Sequence, residues 1–374
     1  MTRPASASPL ADIHGDLRAV ARDLLLPTSP LSSGKGTSTR LDWDKVTQAG
    51  WTGLEISEGL GGAGATFAEV AVVLHEMGRV ASLSPYLGTA VVGVSLLQAL
   101  ASVPRRDNLL AQISAGSTRV TVALPAGEEN ATGAGPVFNL SGGPGAWRMD
   151  GHAAFVADGC EADVVLVPAT GPDDAGVVIV TNQGASGISV TNRPVVDATR
   201  SLADIIASSV PVDDDAILAL ATPGGLDVAI SRAHDRAAFA VACDSFGIAE
   251  SMVEATVEYV AARQQFGRPI GSFQAVKHAC ADMLIQVKVA EQLVAVAAEA
   301  LAGDSPDAWV AVSQAKSYVC PAAVEVAGKA MQLHGGIGYT WERGVHAYLK
   351  RSALNRSLFG SPSAHRKRLI DRLR

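Results

Sequence analysis

Cysteine is scarce in this chain: four residues in 374, at positions 160, 243, 280 and 320, with no CxxC pair among them. That spacing excludes a zinc ribbon and a redox dithiol. Cys243 and Cys280 fall in apolar helical patterns and read as core thiols. An excess of basic charge is also missing. The net charge is −7, so no positive field points to nucleic acid. No run of about 18 apolar residues suits a membrane span. The start, Met1-Thr-Arg-Pro-Ala-Ser6, lacks the apolar core of a secretory signal. The expected location is therefore the cytoplasm.

What the chain does have is core-forming material: 48% hydrophobic and 18% charged residues, over a length that suits two or three domains. Its texture changes twice. Residues 1–118 read as helical. Phe67-Ala-Glu-Val-Ala-Val-Val-Leu-His-Glu-Met-Gly78 repeats apolar positions at helical spacing, with Gly78 expected as a C-cap. The segment 28–39 reads as a loop, and 50–64 as a glycine-dense connection. Residues 119–224 read as a compact β domain. Short β-branched runs at 119–124, 162–168, 176–181 and 187–191 are separated by Gly, Pro, Asp and Asn turns. Residues 225–374 return to helix. Ala237–Arg263 and Ser272–Leu301 are alanine-rich and apolar over much of their surface, so they call for burial against other helices or at a subunit interface. Helix, then sheet, then helix excludes a wound α/β fold, in which the two alternate.

Four stretches, in order, carry a resemblance. Gly50-Trp51 through Gly61-Gly62-Ala63-Gly64 is followed by Glu76-Met77-Gly78-Arg79. Trp147 to Gly159 reads as a β hairpin. Arg263-Gln-Gln-Phe-Gly267 leads through Gln274 into a long helix. Met331-Gln-Leu-His-Gly-Gly-Ile-Gly338 is followed by Tyr339-Thr-Trp-Glu342. Together they resemble the acyl-CoA dehydrogenase family over nearly the whole chain. That resemblance implies an α+β fold: an N-terminal helical domain, a central β-barrel-like domain and a C-terminal four-helix bundle. It also implies FAD as cofactor, an acyl- or steroid-CoA thioester as substrate, α,β-dehydrogenation as reaction, and an electron-transfer flavoprotein as electron acceptor.

The residue types suit those implied roles. A guanidinium such as Arg263 matches pyrophosphate oxygens. Gln274 and Gln332 both donate and accept hydrogen bonds, and Gly335 and Gly336 let backbone approach a ligand. In the family the C-terminal helices of one subunit reach a flavin held by its neighbour. By resemblance Arg263, Phe266, Gln274, Gln332, Gly335 and Gly336 contact such a flavin, and Phe155 stacks on it from the β domain. Each has a plainer reading. Arg263 is also a cation at a helix C-terminus, Phe266 a core anchor and Gly335–Gly338 a helix stop. His278 and His334 lack a carboxylate nearby in sequence and read as structural or surface histidines.

The chain also departs from the family. The family's T-E-P-G-A-G-S-D-like segment corresponds to Val122-Ala-Leu-Pro-Ala-Gly-Glu-Glu-Asn130, which keeps Pro125 but not the Thr or Ser. The family's Trp-Ile-Thr becomes Phe155-Val-Ala157, losing a hydroxyl worth roughly 0.5–1.5 kcal/mol as a hydrogen bond. Phe359 stands where the family's C-terminal catalytic Glu falls, and Ala237 at its second location. Neither side chain accepts a proton. Asp235 and Asp244 remain as displaced candidates for the base, and Asp244 reads equally as a buried structural carboxylate. Two readings stand. One is a base-lacking subunit that completes the FAD site of a heterotetramer, as in the actinobacterial steroid side-chain dehydrogenases resembled by Gly336–Glu342 and by Leu358-Phe-Gly360 with His365-Arg366. The other is a self-sufficient enzyme, with a homotetramer as its assembly, using Asp244 or Asp235.

Overall fold

The computed structural model describes residues 9–32, 38–127 and 135–372. The N-terminal region holds α1 (Pro9–Leu25), α2 (Trp43–Gln48), α3 (Phe67–Arg79), a π-helical turn (Leu87–Gly93) running into α4 (Val94–Gln98), and α5 (Pro104–Ser114). Thr66 starts α3 with a capping box. Its hydroxyl accepts the Ala68 N–H at 3.2 Å, and Glu69 Oε2 accepts the Thr66 N–H at 2.8 Å. The helix then buries nearly every side chain between α1 and the C-terminal helices.

Gly78 is not the C-cap expected of it. It lies inside α3, which ends at Arg79. Its lack of a side chain serves a helix crossing instead. A Cβ at Gly78 would stand 2.1 Å from the Asp244 carbonyl oxygen, and one at Gly247 would stand 2.2 Å from that of His75. Two backbones therefore touch where neither carries a side chain.

Eight strands follow: β1 (Val120–Val122), β2 (Phe138–Ser141), β3 (Trp147–Ala157), β4 (Val164–Thr170), β5 (Gly176–Asn182), β6 (Ile188–Asn192), β7 (Leu202–Val212) and β8 (Ile217–Ala219). They form one sheet in the order β6-β7-β3-β2-β4-β5-β8, with β1 parallel to β4. Ile188 and Val190 from one edge and Ile217 from the other pack on the same core of Phe138, Met149, Val165, Val167 and Ile205. The sheet thus curls around its own interior, as a barrel-like domain requires. The stretch from Trp147, expected as a hairpin, is a single long strand through Ala157. It is bulged against β7 between Met149 and Gly151 and again between Ala153 and Val156.

The C-terminal region is α6 (Leu226–Ala262), α7 (Gln274–Ala302), α8 (Ala308–His334), α9 (Val345–Ser357) and α10 (Pro362–Asp371). Helix α8 packs on all four others, and α6 packs on α3, α7, α8 and α9. That enclosure explains why α6 is buried on every side through its middle, from Ala233 to Ala249. Helix α7 is covered on one side only and leaves Leu284, Ile285, Val289 and Val296 exposed. Cys280 lies on this half-covered helix, so it is not a core thiol. Cys243 and Cys320 are buried. No described helix is long and apolar enough to cross a membrane.

The crossing of α3 and α6 yields a test. Gly247→Ala drives a methyl group into the α3 backbone, a form of overpacking that costs about 1–3 kcal/mol. We expect a lower denaturant midpoint at unchanged slope, read by circular dichroism.

Candidate functional site

The residues assigned to the flavin fall into two groups, an outward one that is exposed and an inward one that is buried or partly buried. The outward group sits at the ends of α6 and α8. Arg263 follows α6 directly. Its N–H donates to the Tyr259 carbonyl at 2.9 Å, and its own carbonyl accepts the Ile270 N–H at 2.8 Å. These bonds anchor a hairpin of β9 (Gln264–Gln265) and β10 (Arg268–Pro269) and leave the guanidinium exposed. Phe266 and Gly267 form the hairpin tip, both at positive φ. Phe266 is 88% exposed and meets only the edge of Phe273, at 6.1 Å. A core anchor is not held that way. Gln274 opens α7 and is exposed. Gln332 lies exposed in the last turn of α8, where Lys329 Nζ donates to its Oε1 at 3.4 Å. Gly335 ends α8 at φ +64°, and a Cβ on it or on Gly336 would meet nothing within 4 Å.

The inward group is less accessible. Phe155 is partly buried and sits at a β3 bulge with φ 57°. The Arg193 guanidinium covers its ring at 4.3 Å, and Asp204 holds Arg193 by two hydrogen bonds of 2.8 and 2.6 Å. Ala157 is buried, and its carbonyl accepts the Thr121 hydroxyl at 2.6 Å. Asp158, for which the sequence carries no signal, is buried beside it and accepts the Gly88 N–H at 2.8 Å. Burial pushes its pKa up to about 7, against the pull of that hydrogen bond and of the Arg200 and Arg351 charges. It ties β3 to the π-helical turn.

Phe359 is buried at φ 53°. Its N–H donates to the Ala126 carbonyl at 3.1 Å, and the next N–H, of Gly360, donates to that of Gly127 at 3.1 Å. His365 Nε2 lies 2.9 Å from the Phe359 carbonyl, and His234 meets the Phe359 ring edge-on at 5.7 Å. Ala237 is fully buried. The remainder of the 122–130 segment, Glu128 to Asn130, lies outside the described residues.

The two displaced carboxylates are both paired. Asp244 is the hub of a buried cluster. Arg351 donates to it through Nη2 at 2.6 Å and Nε at 3.0 Å, and Asn355 Nδ2 donates at 2.6 Å. Arg200 Nη2 stands 3.4 Å away. Burial raises the Asp244 pKa, but the Arg351 and Arg200 charges and these hydrogen bonds outweigh it and hold the carboxyl below its ordinary range. A carboxylate held ionised by two guanidinium groups is a poor proton acceptor. The cavity beside it, between Leu87 and Ala240, measures about 20 Å³, roughly enough for one water. Asp235 is paired with Arg368, whose Nη2 donates at 3.1 Å. Burial raises its pKa, opposed by that arginine. His278 is exposed on α7, and His334 is buried at the end of α8.

The donor set of the outward group suits a phosphate-bearing, planar group presented from outside the chain: an exposed guanidinium, two exposed amides, an exposed aromatic ring and open glycine backbone. The inward group does not suit it. The Phe155 ring is covered, the neighbouring hydroxyl serves the backbone, and the Phe359 and Gly360 N–H groups are engaged. Helices, a barrel-like sheet and a helical bundle follow one another in series along the chain.

Residues 16–117 match the description "Acyl-CoA dehydrogenase, N-terminal domain" and residues 224–373 match "Acyl-CoA dehydrogenase, C-terminal domain". The chain belongs to the acyl-CoA dehydrogenase family, whose members are FAD-dependent oxidoreductases. It is similar to acyl-CoA dehydrogenase IpdE2 of Mycobacterium tuberculosis, 31% identical over 99% of this chain and 98% of that one. Among solved structures it is similar to a variant of the Tcur3481-Tcur3483 steroid ACAD, 28% identical with TM-score 0.82 over 97% and 98% of the two chains. The ChsE4-ChsE5 complex from Mycobacterium tuberculosis shares the fold, at 24% identity and TM-score 0.82 over 100% and 99%.

The cluster around Asp244 predicts its own stability effect. Asp244→Asn leaves Arg351 and Arg200 buried without their counter-charge, which costs about 3–5 kcal/mol. The folded pKa of Asp244 is depressed, so its contribution is full above the unfolded value of about 3.9 and is lost as pH falls through the folded value. We expect thermal melts from pH 7 downward to show an acid-induced loss in the wild type that is smaller in Asp244→Asn.

Proposed function

We propose that this chain is the base-lacking subunit of a heteromeric, flavin-dependent acyl-CoA dehydrogenase, acting on an acyl- or steroid-CoA thioester. One observation carries the reading: the two halves of its flavin constellation differ in exposure. Arg263, Phe266, Gln274, Gln332, Gly335 and Gly336 are exposed, while Ala157 and Phe359 are buried and the partly buried Phe155 ring is covered by Arg193. The chain's own residues would therefore hold the dinucleotide end of a flavin whose ring lies in the partner subunit. Arg263 would offset pyrophosphate charge, and the two glutamines would fix its orientation. The flavin, when bound, supplies the hydride acceptor. The partner would supply the carboxylate that removes the α-proton. The exposed apolar face of α7 offers a surface for tetramer assembly. Similarity to the two-component Tcur3481-Tcur3483 steroid ACAD supports steroid-CoA as the thioester class and a heteromeric assembly, and an electron-transfer flavoprotein would accept the electrons. A cytoplasmic location agrees with all of this.

The self-sufficient alternative needs Asp244 or Asp235 as base. Both are committed to arginines, and the cavity by Asp244 has no room for an acyl chain.

Expression alone and with a Glu-bearing partner subunit tests the proposal. Alone, the chain is expected to bind no stoichiometric FAD and to show no dehydrogenation with an artificial electron acceptor. Coexpressed, it is expected in a tetramer with fewer flavins than chains, and Arg263→Ala should lower the flavin content of that tetramer. A yellow, active homotetramer from single expression would refute it.

A further inference from the structure

Behind the outward residues lies a stack that links their two supporting helices. Tyr259 is one turn before Arg263 on α6, and its carbonyl takes the Arg263 N–H at 2.9 Å. His334 is the last residue of α8, beside Gly335 and two residues past Gln332. The two rings are 4.4 Å apart and inclined by 18°. The Arg343 guanidinium lies over the Tyr259 ring at 5.7 Å. His334 Nδ1 lies 2.8 Å from the Ala330 carbonyl, which fixes the rotation of the imidazole and makes Nδ1 the protonated nitrogen. Burial lowers the His334 pKa against the hydrogen bond to Ala330, and the Arg343 charge lowers it further. The chain after His334 turns back on the same point. A Cβ at Gly338 would stand 2.7 Å from the Met331 carbonyl and 3.0 Å from His334 Cβ.

The carriers of Arg263 and of Gln332, Gly335 and Gly336 are thus two helix ends, far apart in sequence, on helices that pack along each other and meet at this end through the Tyr259–His334 stack. The groups that would touch a ligand are themselves exposed and make few contacts of their own. Their separation depends on what stands behind them. We propose that Tyr259 and His334 form the positioning element of the lent flavin site. Their stack sets the distance between the Arg263 guanidinium and the Gly335–Gly336 backbone, and with it the affinity for the partner's flavin. Neither residue touches the flavin. The inference rests on the reading that this chain completes a neighbour's site.

The test uses the complex coexpressed with a Glu-bearing partner subunit. It is stripped of flavin and titrated with FAD, with tetramer mass checked by light scattering. Tyr259→Phe keeps the ring and is expected to bind FAD as the wild type does. Tyr259→Ala and His334→Ala are each expected to weaken FAD binding about three- to tenfold in a tetramer of unchanged mass, the range that loss of one aromatic pair allows. The double variant should be no worse than the weaker single, because both remove the same contact. Should Tyr259→Ala fail to assemble, Tyr259→Leu keeps bulk without a planar ring and carries the same expectation. Wild-type affinity in the assembled Ala or Leu variant overturns the inference, as does equal damage from Tyr259→Phe. Arg263→Ala separates the two levels of the argument. If it leaves FAD affinity unchanged, the lent site itself is wrong. If it weakens binding while Tyr259→Ala does not, the positioning role alone fails.

Discussion

The Asp244 carboxylate is where the three regions of this chain meet. It sits on α6, its partners Arg351 and Asn355 come from α9, and Arg200 comes from the loop before β7. The same Arg351 reaches the carbonyl oxygens of Ser82 in the N-terminal region and Thr199 in the β region, each at 2.8 Å. A buried ion pair has no claim to stability from charge alone, since desolvation offsets the attraction. Here every nitrogen of the guanidinium has a partner, and the partners lie on different domains. The interaction therefore favours one arrangement of domains over others, because any other leaves a buried charge unsatisfied. The Asp244 carbonyl is also the atom that comes against Gly78 at the α3–α6 crossing. Side chain and backbone of one residue thus act on the same junction.

That junction bears on chemistry because it occupies the interior face of α6. Ala240 and Asp244 line the small cavity, and Ala237 lies one turn earlier. A cleft able to take an acyl chain beside this helix would have to displace the arginines. The outward ends of α6 and α8 are under no such constraint. One helix therefore serves the fold through its middle and leaves its end free for the lent site proposed above.

Much of this is legible in the sequence because it is periodic or punctuated. The apolar runs at 162–168, 176–181 and 187–191 correspond to β4, β5 and β6, and the long alanine-rich runs to α6 and α7. β7 is not legible in the same way. Its Leu202–Val212 run alternates buried and exposed positions only in part, and it holds Asp204, Ser208, Ser209 and Pro211, which weaken a strand pattern. Gly78 reads as a cap because a glycine at a helix end usually is one. Its actual partner is distant in sequence, and no local signal reports a helix crossing. At the site, Arg263, Phe266 and Gln274 stand out through spacing within a motif. Arg351, Arg200 and Asp158 do not, because each matters only through a partner brought close by folding. The stacked pair Tyr259–His334 is of the same kind: two residues whose relation is purely spatial.

The proposed division of labour gives the phenylalanine at position 359 a physical reason. A glutamate there would be enclosed by His234, the Ala126 backbone and the Phe359 loop's own turn, in a place that water does not reach. Opposite a thioester and a flavin, such a carboxylate has a proton to remove, and its desolvation is compensated by the reaction it serves. With the Phe155 ring covered by Arg193 and the 126–127 backbone bound to 359–360, it would be a buried charge beside His234, which the fold would have to neutralise or expel. Phenylalanine fills the volume with apolar surface and leaves the two backbone hydrogen bonds intact. On the proposed reading, a subunit that gives up the ring end of its flavin is favoured by physical chemistry to lose the base as well. The covered Phe155, the absent hydroxyl at 157 and the phenylalanine at 359 would then be three consequences of one change.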